Sequence, residues 1–257
     1  MMQAWREKKQ RGEPISALTA YDYPTARLLD EAGIDLILVG DSLGMVVLGY
    51  EDTTEVTLDE MLHHTRAVAR AVKRALLVVD LPFHTYDTPE QALATAHRLQ
   101  AAGAQAVKLE GGATHSRQIE AIVQAGIPVM GHIGMLPQSV REEGGYKIKG
   151  RTAAEADALL RDGRAVEEAG AFSVVLEIVQ AETARRVTEA LQIPTIGIAS
   201  GENCDGQILV THDLIGLFPW FVPKFVRPEA DVAGEIRKAA SAFIERTRRQ
   251  SRLTAKV

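Results

Sequence analysis

The stretch Ala102-Gly103-Ala104-Gln105-Ala106-Val107-Lys108-Leu109-Glu110-Gly111-Gly112 contains, in eleven residues, the unit from which the rest of the chain is built. A helix-like segment stops at Ala-Gly, a short apolar run follows, and the run ends on ionisable residues. The unit recurs at Ala32-Gly33 leading into Ile34 through Asp41, at Ala125-Gly126 leading into Ile127 through His132, and at Ala169-Gly170 leading into Phe172 through Glu177. Glycine is the residue that ends a helix in the left-handed conformation. The apolar runs are too short for helices and too uniformly apolar for half-exposed strands, so they read as parallel strands buried on both faces.

Runs of this type cover Ile15 to Ala20, Asp35 to Asp41, Leu76 to Leu81, Ala106 to Glu110, Pro128 to Ile133, Phe172 to Ile178, Pro194 to Ala199 and Ile208 to Gly216. Helical segments between them open with Thr57-x-x-Glu60, Thr88-Pro89-Glu90-Gln91 and Thr152-x-x-Glu155, which have capping-box spacing. Eight strand-helix units in 257 residues predict an α/β fold, a single-domain (β/α)8 barrel of the TIM type. An open doubly wound sheet uses the same units, but no Gly-x-Gly-x-x-Gly turn follows the first run. The polar stretch Pro137 to Arg151, after the fifth run, is expected to be a functional loop on the face where barrels place their chemistry. A basic tail from about Arg246 is expected to be a solvated or frayed helix end.

Composition narrows the class. The chain is 46% apolar and 25% charged with a net charge of -5, which does not suggest nucleic-acid binding. No run is long and apolar enough for a membrane span, and the charged start has no apolar signal core. The one cysteine, Cys204, excludes an internal disulfide and suits a cytoplasmic location.

The carboxyl ends of barrel strands converge on one opening. Asp41 with Ser42, Asp80, Lys108 with Glu110, His132 and Glu177 end the second to sixth runs, and four of the six ionisable groups are carboxylates. Like charges so gathered call for a cation, and hard oxygen donors favour Mg²⁺. Each residue also has a structural reading. Asp41 and Asp80 suit helix caps, Lys108 and Glu110 an ion pair on one strand face, and His132 a hydrogen-bonded core histidine. Glu177, ending the apolar run Ser173-Val174-Val175-Leu176, needs either a cationic partner or a raised pKa suited to a base. His63, His64 and Cys204 lack partners in the pattern and read as structural.

The ordered set Thr19-Ala20-Tyr21-Asp22, Val39-Gly40-Asp41-Ser42-Leu43-Gly44-Met45-Val46, Asp80-Leu81-Pro82-Phe83, Ala106 to Gly112, Gly131-His132-Ile133-Gly134, Pro137-Gln138-Ser139, Gly144-Gly145-Tyr146-Lys147, Leu176-Glu177, Pro194-Thr195-Ile196-Gly197-Ile198 and Asp205-Gly206-Gln207-Ile208-Leu209-Val210 resembles the ketopantoate hydroxymethyltransferase family. The resemblance implies transfer of a hydroxymethyl group from 5,10-methylenetetrahydrofolate to 3-methyl-2-oxobutanoate, giving 2-dehydropantoate and tetrahydrofolate in pantothenate biosynthesis through a Mg²⁺-stabilised enolate. It assigns Asp41, Asp80 and Glu110 to the metal, Glu110 through water. It assigns Asp41, Ser42, Asp80 and Lys108 to the oxo acid, Glu177 to proton abstraction and His132 to proton transfer, and it implies a homodecamer. The chain departs from the family at Met135-Leu136, at Lys149, at Ile198-Ala199-Ser200-Gly201, where more glycine is usual, and after Glu245. A Mg²⁺-dependent carbon-carbon lyase of the isocitrate lyase or phosphoenolpyruvate mutase kind is the nearest rival. A barrel that only binds a ligand has little use for a carboxylate base.

Overall fold

The computed structural model describes residues 2–254. The chain forms two compact units, one through Leu209 and one from Val210 onward. The first is a closed barrel of eight parallel strands paired in sequence order. It begins with helix α1 (Met2–Arg11), followed by β1 (Ile15–Thr19), α2 (Tyr23–Ala32), β2 (Leu36–Val39), α3 (Leu58–Ala69), β3 (Leu76–Asp80), α4 (Pro89–Ala101) and β4 (Ala106–Lys108). Then come α5 (Ser116–Gln124), β5 (Val129–Gly134), α6 (Val140–Glu143), α7 (Ala153–Glu168), β6 (Ser173–Glu177), α8 (Ala181–Ala190), β7 (Thr195–Ile198) and β8 (Gly206–Leu209).

Alternation along the strands explains why the runs are apolar throughout. Leu36, Leu38, Leu76, Val78, Ala106, Met130, Val175, Ile196 and Ile208 fill the barrel, while Ile37, Val39, Leu77, Val79, Val107, Val129, Val174 and Leu176 lie under the helices. The filled interior is closed below by Trp5 of α1, whose ring meets Phe172 edge-on at 5.5 Å. The Ala-Gly stops behave as expected: Gly33, Gly103, Gly126 and Gly170 all have positive φ.

The three Thr caps also hold. Thr57 and Glu60 make a complete capping box on α3. At α4 and α7 the Thr side chains accept from Gln91 N and Glu155 N, but the N3 side chains reach one residue further back, to Asp87 N and Arg151 N.

The sequence reading errs at the eighth strand. The ladder to β1 runs from Gly206 to Leu209 and stops there, and Thr211–Leu214 is a short helix, α9. Gly206 starts the strand against the Ile15 carbonyl oxygen, where a Cβ would stand only 2.4 Å away, so its lack of a side chain permits the close pairing. The fourth strand is also shorter than expected. It ends at Lys108, so Glu110 lies beyond it, where Gly111 bridges back to His132. The polar stretch from Pro137 opens with a turn of 3₁₀ helix and α6 before it becomes irregular.

The second unit holds α9 and α10 (Val232–Thr254). Backbone bonds from Glu229, Val232 and Ala233 to Leu214, Ile215 and Gly216 join the two helices. The basic stretch from Arg246 continues α10, and residues 255–257 lie outside the described residues.

Candidate active site

Strand register brings the ionisable ends together at the barrel mouth. Asp80 pairs with Lys108 across β3 and β4, and Gly134 pairs with Glu177 across β5 and β6. Lys108 Nζ lies 2.7 Å from Asp80 Oδ1 and 3.4 Å from His132 Nδ1. His132 Nε2 lies 3.2 Å from Glu177 Oε2. Asp80 Oδ2 accepts the backbone N–H of Asp41 at 3.1 Å. Asp41, Asp80, Lys108, Glu110 and His132 are all buried, whereas the Glu177 side chain is 16% exposed at the rim. Gly134 makes this rim possible. At φ 102 it lies so close to the Glu177 carbonyl that a Cβ would stand 2.4 Å from the oxygen.

The structural readings of Asp41, Asp80, Lys108 and Glu110 are not met, whereas His132 is a buried histidine with polar neighbours at both ring nitrogens. Thr57 and Thr88, not Asp41 and Asp80, cap α3 and α4. The lysine pairs with Asp80, while Glu110 Oε2 accepts the backbone N–H of Gln138 at 3.0 Å. The partner of Glu177 is the imidazole of His132, which burial and the neighbouring Lys108 hold below its usual pKa and therefore uncharged at neutral pH.

Burial and the adjacent Asp80 push Asp41 up to about 7, against the opposing pull of Lys108 and Gln138. Burial and Asp41 likewise raise Glu110 well above the carboxylate range. Burial alone would lower Lys108, but Asp80, Glu110 and Asp41 outweigh it and hold the ammonium above its usual value. One lysine thus faces a surplus of carboxylates.

Among the described residues no three His, Cys, Asp or Glu side chains form a ready-made metal cage. The donor set nevertheless fits a hard cation that keeps water and substrate in its shell, which needs only one or two carboxylates. Asp80 Oδ1 is buried without a directed hydrogen bond, matched only by the charge of Lys108.

Several contributors were not singled out by sequence reasoning. Ser42 Oγ shares a hydrogen bond of 2.8 Å with Tyr21 Oη, and the Tyr21 carbonyl oxygen lies 2.6 Å from His64 Nδ1, which gives that histidine its structural place. Gln138 donates from Nε2 to Asp41 Oδ2 at 2.7 Å, and the Tyr86 hydroxyl donates to its Oε1. Tyr146, half exposed in the loop after β5, has its hydroxyl raised by partial burial and then by Glu177, Asp41 and Glu110. Tyr21, Gln138 and Tyr146 stand in the quoted family stretches, but nothing local marks them as site residues.

The family described as ketopantoate hydroxymethyltransferase matches residues 1–251. A 3-methyl-2-oxobutanoate hydroxymethyltransferase of Dehalococcoides mccartyi is 55% identical over 93% of this chain and 86% of its own. One from Chloroflexus aurantiacus is 56% identical over 93% and 85%. Among solved structures, a phosphonomutase-like protein from Burkholderia cenocepacia superposes with a TM-score of 0.67 at 17% identity, covering 96% of this chain and 98% of its own. A 2,3-dimethylmalate lyase of the phosphoenolpyruvate mutase and isocitrate lyase superfamily gives 0.61 at 18%, covering 96% and 87%. At such identities these structures share the fold alone. Identity above half over nearly the whole chain carries the assignment: the chain belongs to the ketopantoate hydroxymethyltransferase family.

Proposed function

We propose that the protein transfers a hydroxymethyl group from 5,10-methylenetetrahydrofolate to 3-methyl-2-oxobutanoate. The observation that carries this reading at the level of residues is a rim carboxylate, Glu177, beside the His132 imidazole, whose other ring nitrogen lies 3.4 Å from a buried lysine paired with Asp80. Asp41 and Asp80 would hold Mg²⁺, with Glu110 acting through water. Bound there, the cation would supply Lewis acidity to the oxo acid.

Glu177 takes the proton from C3 of the oxo acid, and its rim position leaves it open to substrate. Lys108 holds a fixed positive charge against the negative charge that then develops on the keto oxygen. Ser42, fixed by Tyr21, binds the oxo acid. His132 orients Glu177 through Nε2 and moves a proton toward the folate. C3 bonds to the methylene carbon of the donor, that carbon's bonds to the folate nitrogens break, and water supplies the hydroxyl oxygen.

Proton NMR of 3-methyl-2-oxobutanoate in D₂O tests the first step without folate. Metal-dependent loss of the C3 proton signal is expected, and its persistence in Glu177→Gln would remove Glu177 as the base.

No helix among the described residues is long and apolar enough to cross a membrane. With one cysteine in the chain, a cytoplasmic site of action is the reading we favour. Exposed Trp220, Phe221 and Phe225 in the second unit support a homo-oligomer, a decamer by family resemblance, which light scattering tests. We read residues 1–257 as one domain. A stable proteolytic fragment ending near Leu209 would divide it.

A further inference from the structure

We propose that Gln138, held by the Tyr86 hydroxyl, is the positioning residue that fixes the Asp41 and Glu110 carboxylates for the cation, an inference that rests on the cation reading above. Gln138 and Tyr86 are both buried. The two hydrogens of Gln138 Nε2 go to Asp41 Oδ2 at 2.7 Å and to the Leu81 carbonyl oxygen at 3.1 Å. Its backbone N–H goes to Glu110 Oε2 at 3.0 Å, and its Oε1 accepts the Tyr86 hydroxyl. One residue on the loop after β5 thus joins the exits of β2, β3 and β4.

The amide has only one workable orientation. Turned over, Oε1 would face the Asp41 carboxylate and the Leu81 carbonyl, placing three acceptors together, while Nε2 would lose them both. The Asp41 carboxylate and the Leu81 carbonyl, which can only accept, fix the working orientation, and the Tyr86 hydroxyl completes it by donating to Oε1. Its ring is held edge-on against His115 at 5.4 Å. Tying Asp41 Oδ2 sets where Oδ1 stands, and tying Glu110 Oε2 does the same for Oε1. Groups that orient ligands in this way typically change metal affinity by about 10- to 100-fold when removed.

A purely structural loop clamp needs only the Leu81 and Tyr86 bonds. The bonds to two acids are what the positioning role adds, and they predict a signature in cation affinity.

The test is Mg²⁺ titration of the full-length protein by calorimetry, with the thermal midpoint without metal as the measure of folding. Wild type, Gln138→Met, Tyr86→Phe and the double variant are compared. Gln138→Met is expected to weaken Mg²⁺ binding about 10- to 100-fold. Tyr86→Phe is expected to weaken it less, and the double variant no more than Gln138→Met alone, because Tyr86 acts through Gln138. In D₂O exchange, Tyr86→Phe should raise the Mg²⁺ concentration at half-maximal rate and leave the saturated rate within about twofold, a split that a general loss of loop structure would not give. Should Gln138→Met fail to fold, Tyr86→Phe with the Mg²⁺ affinity of wild type overturns the proposal. Wild-type Mg²⁺ binding that Gln138→Met leaves unchanged overturns the positioning role alone. A wild type that binds no Mg²⁺ overturns the cation reading, and the positioning role with it.

Discussion

The two ends of the barrel treat charge in opposite ways. At the floor Lys9, Asp35 and Asp30 are each answered. Lys9 Nζ donates to Asp205 Oδ2 at 2.9 Å and to the Thr188 carbonyl oxygen at 2.7 Å, and the same carboxylate oxygen accepts Thr195 N at 2.8 Å. Burial alone would raise Asp35, but Lys8 and Ser16 outweigh it and hold the carboxyl below its usual value. Asp30 behaves the same way. Burial pulls it up, yet the N–H groups of Ala75, Arg74 and Lys73 bring it below the ordinary range.

At the mouth the balance is reversed. Asp41 rises to about 7 and Glu110 climbs as well, with one lysine among four carboxylates. The backbone follows the same division. The three non-glycine residues with positive φ among the described residues, His84, Ile178 and Ala199, all lie on the exit side of β3, β6 and β7. Ile178 at φ 48 is a β-branched residue in a conformation it rarely adopts, immediately after Glu177. Floor charges lower the energy of the folded chain, whereas the mouth carries a surplus of carboxylates that pushes Asp41 and Glu110 upward.

That contrast can be broken by experiment. Glu177→Gln has the largest expected effect: C3 proton exchange should fall by about 10²- to 10⁴-fold, with little change in the melting midpoint. A large fall in the midpoint instead would make Glu177 a structural residue. Next, Trp5→Ala at the floor should cost about 3–5 kcal/mol of stability in urea unfolding while leaving KM for the oxo acid unchanged. A KM that moved with stability would end the separation of floor from mouth.

Asp30→Ala follows, at about 2–4 kcal/mol, because the Arg74 and Ala75 N–H groups bonded to Oδ1 at 2.9 and 2.8 Å lose their acceptor. Asp30→Asn keeps an Oδ1 in that place and should cost less. The Asp30 pKa is depressed on folding, so its charge contributes stability above the unfolded value near 4 and loses it as pH falls through the folded value. The wild-type advantage over Asp30→Asn should therefore shrink below about pH 4, which urea midpoints at several pH values would reveal. The smallest effect has the opposite sign. Asp41→Asn should raise metal-free stability by about 1 kcal/mol by removing one of several crowded like charges, while abolishing Mg²⁺ binding. A destabilised Asp41→Asn would place the mouth under the same rule as the floor.

The departure at Ile198-Ala199-Ser200-Gly201 shows where reading by pattern reaches its limit. Ala199 sits at φ 52, a conformation glycine adopts without strain, and the Ser200 hydroxyl accepts Val179 N at 2.9 Å and donates to the Leu176 carbonyl oxygen at 2.7 Å. The hydroxyl thus crosses the corner on which Glu177 stands and holds a strained turn in place. The residues are plain in the sequence, but the bond that gives Ser200 its meaning crosses between β6 and β7. The misread eighth strand has a related cause. Apolar content after Leu209 suggests a continuing strand, and only the end of the β1 ladder shows where pairing stops.

What the sequence determined by itself was local or periodic: Ala-Gly stops that require positive φ, Thr caps three residues before their partners, runs apolar on both faces, and ionisable residues at the ends of those runs. These depend on spacing along one chain, so eight strands in a barrel and the mouth residues Asp41, Asp80, Lys108, Glu110, His132 and Glu177 were legible. Tertiary structure alone decided which of these residues touch. It paired Lys108 with Asp80 and not with Glu110, gave Glu177 a neutral imidazole at the rim, and brought Gln138 across 97 residues of chain to Asp41. Such pairings follow from the register between neighbouring strands and from the course of the loops above them. Hydrogen-bond distance and local dielectric are set there, and spacing along one segment carries no trace of either.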